Sequence, residues 1–161
     1  LSLESYAMQL RFADVLVSAS NHVRQMSSGR LSFLLGEDAT GRGNTGLGIS
    51  VMDESTGDPR PTTSLSGGET FYASLSLALG LADVVQSETG GVSLETLFVD
   101  EGFGSLDTET LERVLDQLDQ LKSGGRTIGV ISHVSEMKER FPDRIVVSRE
   151  IDGPSRILQT R

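Results

Sequence analysis

Apolar positions recur with a helical period at the start of the chain. Phe12, Leu16, Ala19, Val23 and Met26 fall on one seam, which predicts a helix from residue 2 to about residue 28. Two readings fit that seam: an amphipathic helix laid on a sheet, or the foot of a coiled coil. Residues 30–37 (RLSFLLGE) and 47–52 (LGISVM) then read as strands of a hairpin, with the polar, glycine-rich residues 38–46 as its long loop. Residues 53–64 contain Pro59 and Pro61 and read as an extended connector outside any helix.

A second helix is predicted over residues 65–87. It is apolar nearly all round, at Phe71, Leu75, Leu81, Val84 and Val85, as expected of a helix buried on several sides. Residues 94–101 form a short apolar strand ending in acids, expected at the centre of its sheet. The next helix, residues 108–122, carries Leu111, Val114, Leu115, Leu118 and Leu121 on one face. Asp107 stands where it would cap the start, and Gly124-Gly125 end it. A buried strand at residues 127–133, a short helix from Ser135 and a terminal strand pair at residues 144–160 follow. Alternating strands and helices predict an α/β fold with a mixed, mostly parallel sheet and flanking helices.

Composition narrows the function classes. The 161 residues are 37% hydrophobic and contain no cysteine, which excludes disulfides, thiolate metal sites and a thiol nucleophile. No apolar run reaches the length of a membrane span, and no signal-peptide layout opens the chain, so no membrane partner and a cytoplasmic location are expected. The chain begins at Leu1 rather than Met, and a piece of a longer protein is expected. Its net charge of −9 makes it a poor general nucleic-acid binder. A DNA contact would need a local basic patch, for which Arg24 and Arg30 are candidates, or would lie elsewhere in an assembly.

Candidate chemistry clusters at three places. Ser66, Gly67 and Gly68 precede the second helix, where free amides, a positive dipole end and small residues suit an anion. The same residues also suit a plain N-cap turn. Asp100-Glu101 ends a strand, where α/β folds place ligands, and a pair of acids there suits one metal-linked and one general-base role. Ser105 and Asp107 lie in the glycine-bearing loop that follows, and His133 closes a strand expected to neighbour the one bearing Glu101. What is missing is equally informative. A P-loop needs G-x-x-x-x-G-K-[ST], yet the only lysines, Lys122 and Lys138, do not follow a glycine.

The order LSGGE (65–69), LFVDE (97–101), GSLD (104–107) and ISH (131–133) resembles the C-terminal lobe of an ABC-type ATPase head. ABC transporters commonly carry a proline after the acid pair, where this chain has Gly102. The stretches SLSGGETFYASLSLALGLADVV, LFVDEGFGSLD and TIGVISHVSEMKERF are similar to the SbcC family, ATPase subunits of a bacterial exonuclease and relatives of the SMC proteins.

That resemblance implies residues 1–28 as the returning base of a long coiled coil and residues 29–161 as the C-terminal lobe of the head. Two such heads would sandwich two ATP molecules. Ser66, Gly67 and Gly68 would contact the γ-phosphate held on the opposite head's P-loop. Asp100 would help hold Mg²⁺ through water, Glu101 would polarise the attacking water, and His133 would sense the γ-phosphate. Ser105 and Asp107 would lie at the dimer seam. The implied partners are the protein's own N-terminal P-loop lobe, a second head, an SbcD-like nuclease and double-stranded DNA, in a nucleoid-associated setting. ATP hydrolysis coupled to exonuclease action would need the complete head, so this chain alone is expected to be inactive. Two alternatives stand beside this reading. One is an SMC-type chromosome-organisation head, against which Thr70-Phe71 replaces the lysine usual there. The other is a non-catalytic interaction module, against which Glu101 and His133 are intact.

Overall fold

The computed structural model describes residues 3–36, 48–90, 95–149 and 153–160. Helix α1 spans Leu3–Met26, about 36 Å of helix. Its expected seam is real: Leu16, Ala19, Val23 and Met26 are buried and Phe12 packs against them. The docking is confined to the C-terminal half. Leu3, Tyr6, Met8 and Leu10 at the other end are exposed.

Strands β1 (Leu31–Gly36), β2 (Gly48–Asp53) and β3 (Asp58–Pro61) form an antiparallel sheet in that order. The hairpin is as expected, while its loop at residues 38–46 lies outside the described residues. β3 replaces part of the expected connector. It pairs Pro61 with Ser50 and Pro59 with Met52, and sits at the sheet edge, where a proline's missing N–H breaks no ladder. A 3₁₀ turn at Thr62–Ser64 then leads into helix α2, Gly67–Glu88.

Helix α2 buries Tyr72, Ala73, Leu75, Ser76, Leu79 and Gly80 but leaves Leu81 and Val85 exposed, so it is covered on one broad side rather than several. It crosses α1 closely: a Cβ at Gly80 would stand 2.5 Å from the Ala19 nitrogen. A polar hub fastens the same crossing. Asp83 accepts from Ser18 Oγ at 3.0 Å and from Arg126 Nη2 at 3.0 Å, and meets His22 Nε2 at 2.8 Å. Burial alone would raise the Asp83 carboxyl, but His22, Arg126 and Ser18 outweigh it and hold it below the usual range.

Strand β4 (Thr96–Asp100) leads through a 3₁₀ turn to helix α3 (Thr108–Ser123), which buries Leu111, Val114, Leu115 and Leu118. The chain returns in β5 (Thr127–Ile131), parallel to β4 with Asp100 opposite Ile131. This β–α–β crossover is the parallel element expected. The pairing is less parallel than expected: among the described residues the strands fall into three sheets, and the other pairings are antiparallel, β1–β2, β2–β3, and β6 (Arg144–Ser148) with β7 (Arg156–Thr160). Short helix α4, Met137–Arg140, precedes β6. Nor is β4 central and covered. Phe98 is 72% exposed, Ile131 is exposed, and β5 is only half-buried. Ile145, Val147, Ile157 and Leu158 on the terminal pair are exposed as well. Nothing among the described residues covers those faces.

Candidate functional site

Two groups of the expected residues gather at the ends of α2 and β4, joined by residues 102–107. Ser66 is the N-cap of α2. Its Oγ accepts from the Glu69 N–H at 3.2 Å, and the Glu69 carboxylate accepts from the Ser66 N–H at 2.8 Å, a reciprocal capping box. The plain N-cap reading is therefore correct in geometry. It does not exclude an anion, because an accepting hydroxyl keeps its own proton to donate.

Gly67 and Gly68 rest on the next loop. A Cβ at Gly68 would stand 3.1 Å from the Ser105 carbonyl oxygen, and one at Gly67 3.8 Å from the Ser105 Cβ. Ser105 Oγ donates to the Gly102 carbonyl at 2.8 Å. Asp107 caps α3, accepting from Thr110 N at 2.9 Å and from Thr110 Oγ1 at 2.7 Å; these bonds hold its carboxyl below the usual range. Ser66, Gly67, Gly68, Ser105 and Asp107 thus share one cavity of about 470 Å³.

Arg30 and Arg113 also line that cavity, and Arg30 joins Arg60 in a charge network beside it that the sequence did not reveal. Asp53 is almost wholly buried and receives Arg30 Nη2 at 2.8 Å and Arg60 Nη2 at 3.3 Å. Arg30 and then Ser55 hold its carboxyl far below the usual range. Both arginines reach on to Glu69 Oε1, at 3.2 and 3.0 Å. Burial pushes Glu69 up, yet the Ser66 N–H and Arg60 win and keep it low. Tyr72 beneath is pushed up to about 12, by burial first and then by the Glu69 charge. Arg24, 3.5 Å from Glu54, and Arg30 each face a carboxylate and each remain about half-exposed.

The second group is Glu101 and His133. The β4–β5 pairing brings them together, with Nδ1 of His133 2.9 Å from Oε2 of Glu101. A carboxylate only accepts, so Nδ1 carries the proton and donates. Glu101 is held from behind by its N–H, which donates to the Ile131 carbonyl at 2.9 Å. Its φ of +59° is the left-handed region, which costs a non-glycine residue on the order of 1–3 kcal/mol. The pair lies open to solvent and does not line the cavity at Ser66. Gly104 links the two groups, a Cβ there falling 3.6 Å from His133 Nε2. Asp100, exposed at the end of β4, is next to the pair in sequence.

The donor set fits part of a magnesium–nucleotide site. Mg²⁺ is commonly held by one or two carboxylates with phosphates and waters completing the shell. One carboxylate, Asp100, suits that shared role, and among the described residues no group of three His, Asp or Glu side chains could hold an ion alone. The first amides of α2 suit an anion. No lysine-bearing phosphate loop is present in the sequence to hold a nucleotide on this chain.

The family model for the SbcC/RAD50-like Walker B motif matches residues 42–120. The SbcC component of nuclease SbcCD from Staphylococcus saprophyticus is 49% identical over 150 residues, covering 93% of this chain and 15% of that protein. The chain thus spans about one-seventh of that relative's length. In fold it is similar to a chain from a study of ATP-driven dimerization and DNA-stimulated activation of SMC ATPases, with a TM-score of 0.74 at 20% identity over 98% of this chain and 89% of that one. The Smc head domain with coiled coil and joint from Pyrococcus yayanosii gives a TM-score of 0.68 at 20% identity, over 92% and 27%. The fold is that of an SMC-type ATPase head, and the chain belongs to the SbcC/RAD50-like family.

Proposed function

We propose that this chain is the C-terminal lobe of an ATP-hydrolysing head in which its two polar groups serve two different nucleotides. The observation that carries the reading is their separation: the Ser66 turn opens into one cavity, while Glu101 and His133 lie outside it on the other side of the 102–107 loop. A site serving one nucleotide would draw them into one pocket. Bound ATP would supply the scissile γ-phosphate, and its magnesium would neutralise charge there.

Ser66 donates its hydroxyl proton, and Gly67 and Gly68 offer their amides, to the γ-phosphate carried by a second head. Asp100 would help hold the magnesium. Glu101 accepts the proton of the attacking water on the oxygen not bonded to His133, and His133 keeps that carboxylate turned outward. Ser105 and Asp107 lie at the seam between heads. The exposed apolar faces of β4–β5 and β6–β7 take the P-loop lobe of the same protein. The free end of α1 continues into a coiled coil. Closure of two heads gates an SbcD-like nuclease on double-stranded DNA.

Glu101→Gln in the complete head tests this. The amide keeps the shape and removes the base, so hydrolysis falls by roughly 10²-fold or more. ATP still binds, and the closed dimer accumulates in size-exclusion runs with MgATP. Hydrolysis at the parent rate would remove Glu101 from the role of base.

A further inference from the structure

The strained backbone at Glu101 has a support that the proposed chemistry does not use. Gly102 follows with φ of +95°, so two successive residues turn the chain in the left-handed sense. The Gly102 α-carbon lies against the ring of Phe71, one turn into α2: a Cβ there would stand 2.2 Å from Cδ2 and 2.4 Å from Cε2. The next residue, Phe103, is 1% exposed and meets Phe71 edge-on, with centroids 4.9 Å apart and planes at 61°. The Gly102 carbonyl is fixed too, accepting from Ser105 Oγ at 2.8 Å and Ser105 N at 3.3 Å. Unfavourable φ values persist where the surroundings over-determine them. Here the Phe71–Phe103 pair is that surrounding, and Phe71 belongs to the helix that Ser66 caps.

We propose that Phe71 is a positioning residue for Glu101, holding it in the left-handed conformation that sets its carboxylate against His133. This rests on the reading of Glu101 as general base. Because Phe71 also belongs to α2, a shift of the Ser66 turn on meeting a second head would be felt at the Glu101 backbone through one ring.

Phe71→Ala and Phe71→Leu in the complete head test it, the leucine retaining core volume if the alanine variant fails to fold. A misplacement of about an ångström lowers kcat by roughly 10- to 100-fold. The KM for ATP and ATP-driven dimerisation should stay within about threefold of the parent, since neither needs the base. In a Glu101→Gln background, Phe71→Leu should cost nothing further. In the nucleotide-free head, the Glu101 carbon chemical shifts should leave left-handed values in Phe71→Leu and keep them in the parent. Parent-like kcat with unmoved shifts, or a multiplicative loss in the double variant, overturns the proposal. So does an equal loss of dimerisation, which marks a merely structural residue. Parent-level turnover in Glu101→Gln alone sinks the base reading instead, and the shifts then decide the positioning role by themselves.

Discussion

Gly80→Ala is the most exacting test of how α1 and α2 are joined. Ordinarily alanine for glycine within a helix stabilises by about 1 kcal/mol. At Gly80 the added methyl would fall 2.5 Å from the Ala19 nitrogen and 2.8 Å from its Cα and Cβ. Carbon contacts are favourable at about 3.5–4.0 Å, so the shortfall is about an ångström. Two of the three opposing atoms are backbone and cannot rotate away. The helices must move apart, which loosens the buried seam at Ala19 and Val23 and stretches the Asp83 hub beside it. Overpacking costs about 1–3 kcal/mol. A rigid clash belongs at the upper end, leaving a net loss of about 2 kcal/mol after the propensity gain. For a domain of this size that is roughly 4–8 °C in Tm. Urea denaturation followed by helical circular dichroism would measure it. Ala78→Gly, at an exposed position of the same helix, supplies the reference and should lose about 1 kcal/mol. If Gly80→Ala instead stabilised by the amount Ala78→Gly destabilises, the close crossing would be refuted.

Two further outcomes follow from charge and from exposed surface. The Asp53 carboxyl is held low by Arg30, so its contribution is present above its unfolded value near about pH 4 and is lost as the pH falls through its folded value. Asp53→Asn should therefore lower the urea midpoint more at pH 7 than at pH 3, and equal losses at both would contradict the network. Mixing the chain with the proposed P-loop lobe should raise the melting temperature, because covering Phe98 alone is worth about 1.5–3 kcal/mol. Unchanged melting of the mixture would argue against the β4–β5 and β6–β7 faces as the docking surface.

Local patterns in the sequence carried the helices and the hairpin. Phe12 to Met26 show a period that packing confirms, and Asp107 sits one residue before α3 as an N-cap must. Glu101 and His133 at the ends of strands expected to be neighbours were legible as well, and the parallel pairing of β4 with β5 brings those two together. Features that depend on distant partners were not legible. Pro59 and Pro61 argue against a strand until one knows that β3 lies at an edge. The Asp53–Arg30–Arg60–Glu69 network joins segments whose charges look solvent-facing in sequence, and its carboxylate is buried only because two guanidinium groups meet there. The residues of β4 are apolar, which suggests a central strand, yet apolarity reports the need for cover and not which chain supplies it. The left-handed Glu101 gives no signal beyond the glycine that follows it.

On the proposed reading this chain holds the Ser66 turn and the acids, while the nucleotide itself is bound elsewhere. Calorimetric titration of MgATP into the chain, alone and then with its P-loop lobe, tests that most directly. The chain alone should show neither a stoichiometric micromolar site nor hydrolysis, and both should appear on adding the lobe. A tight one-to-one ATP site on this chain by itself would contradict it.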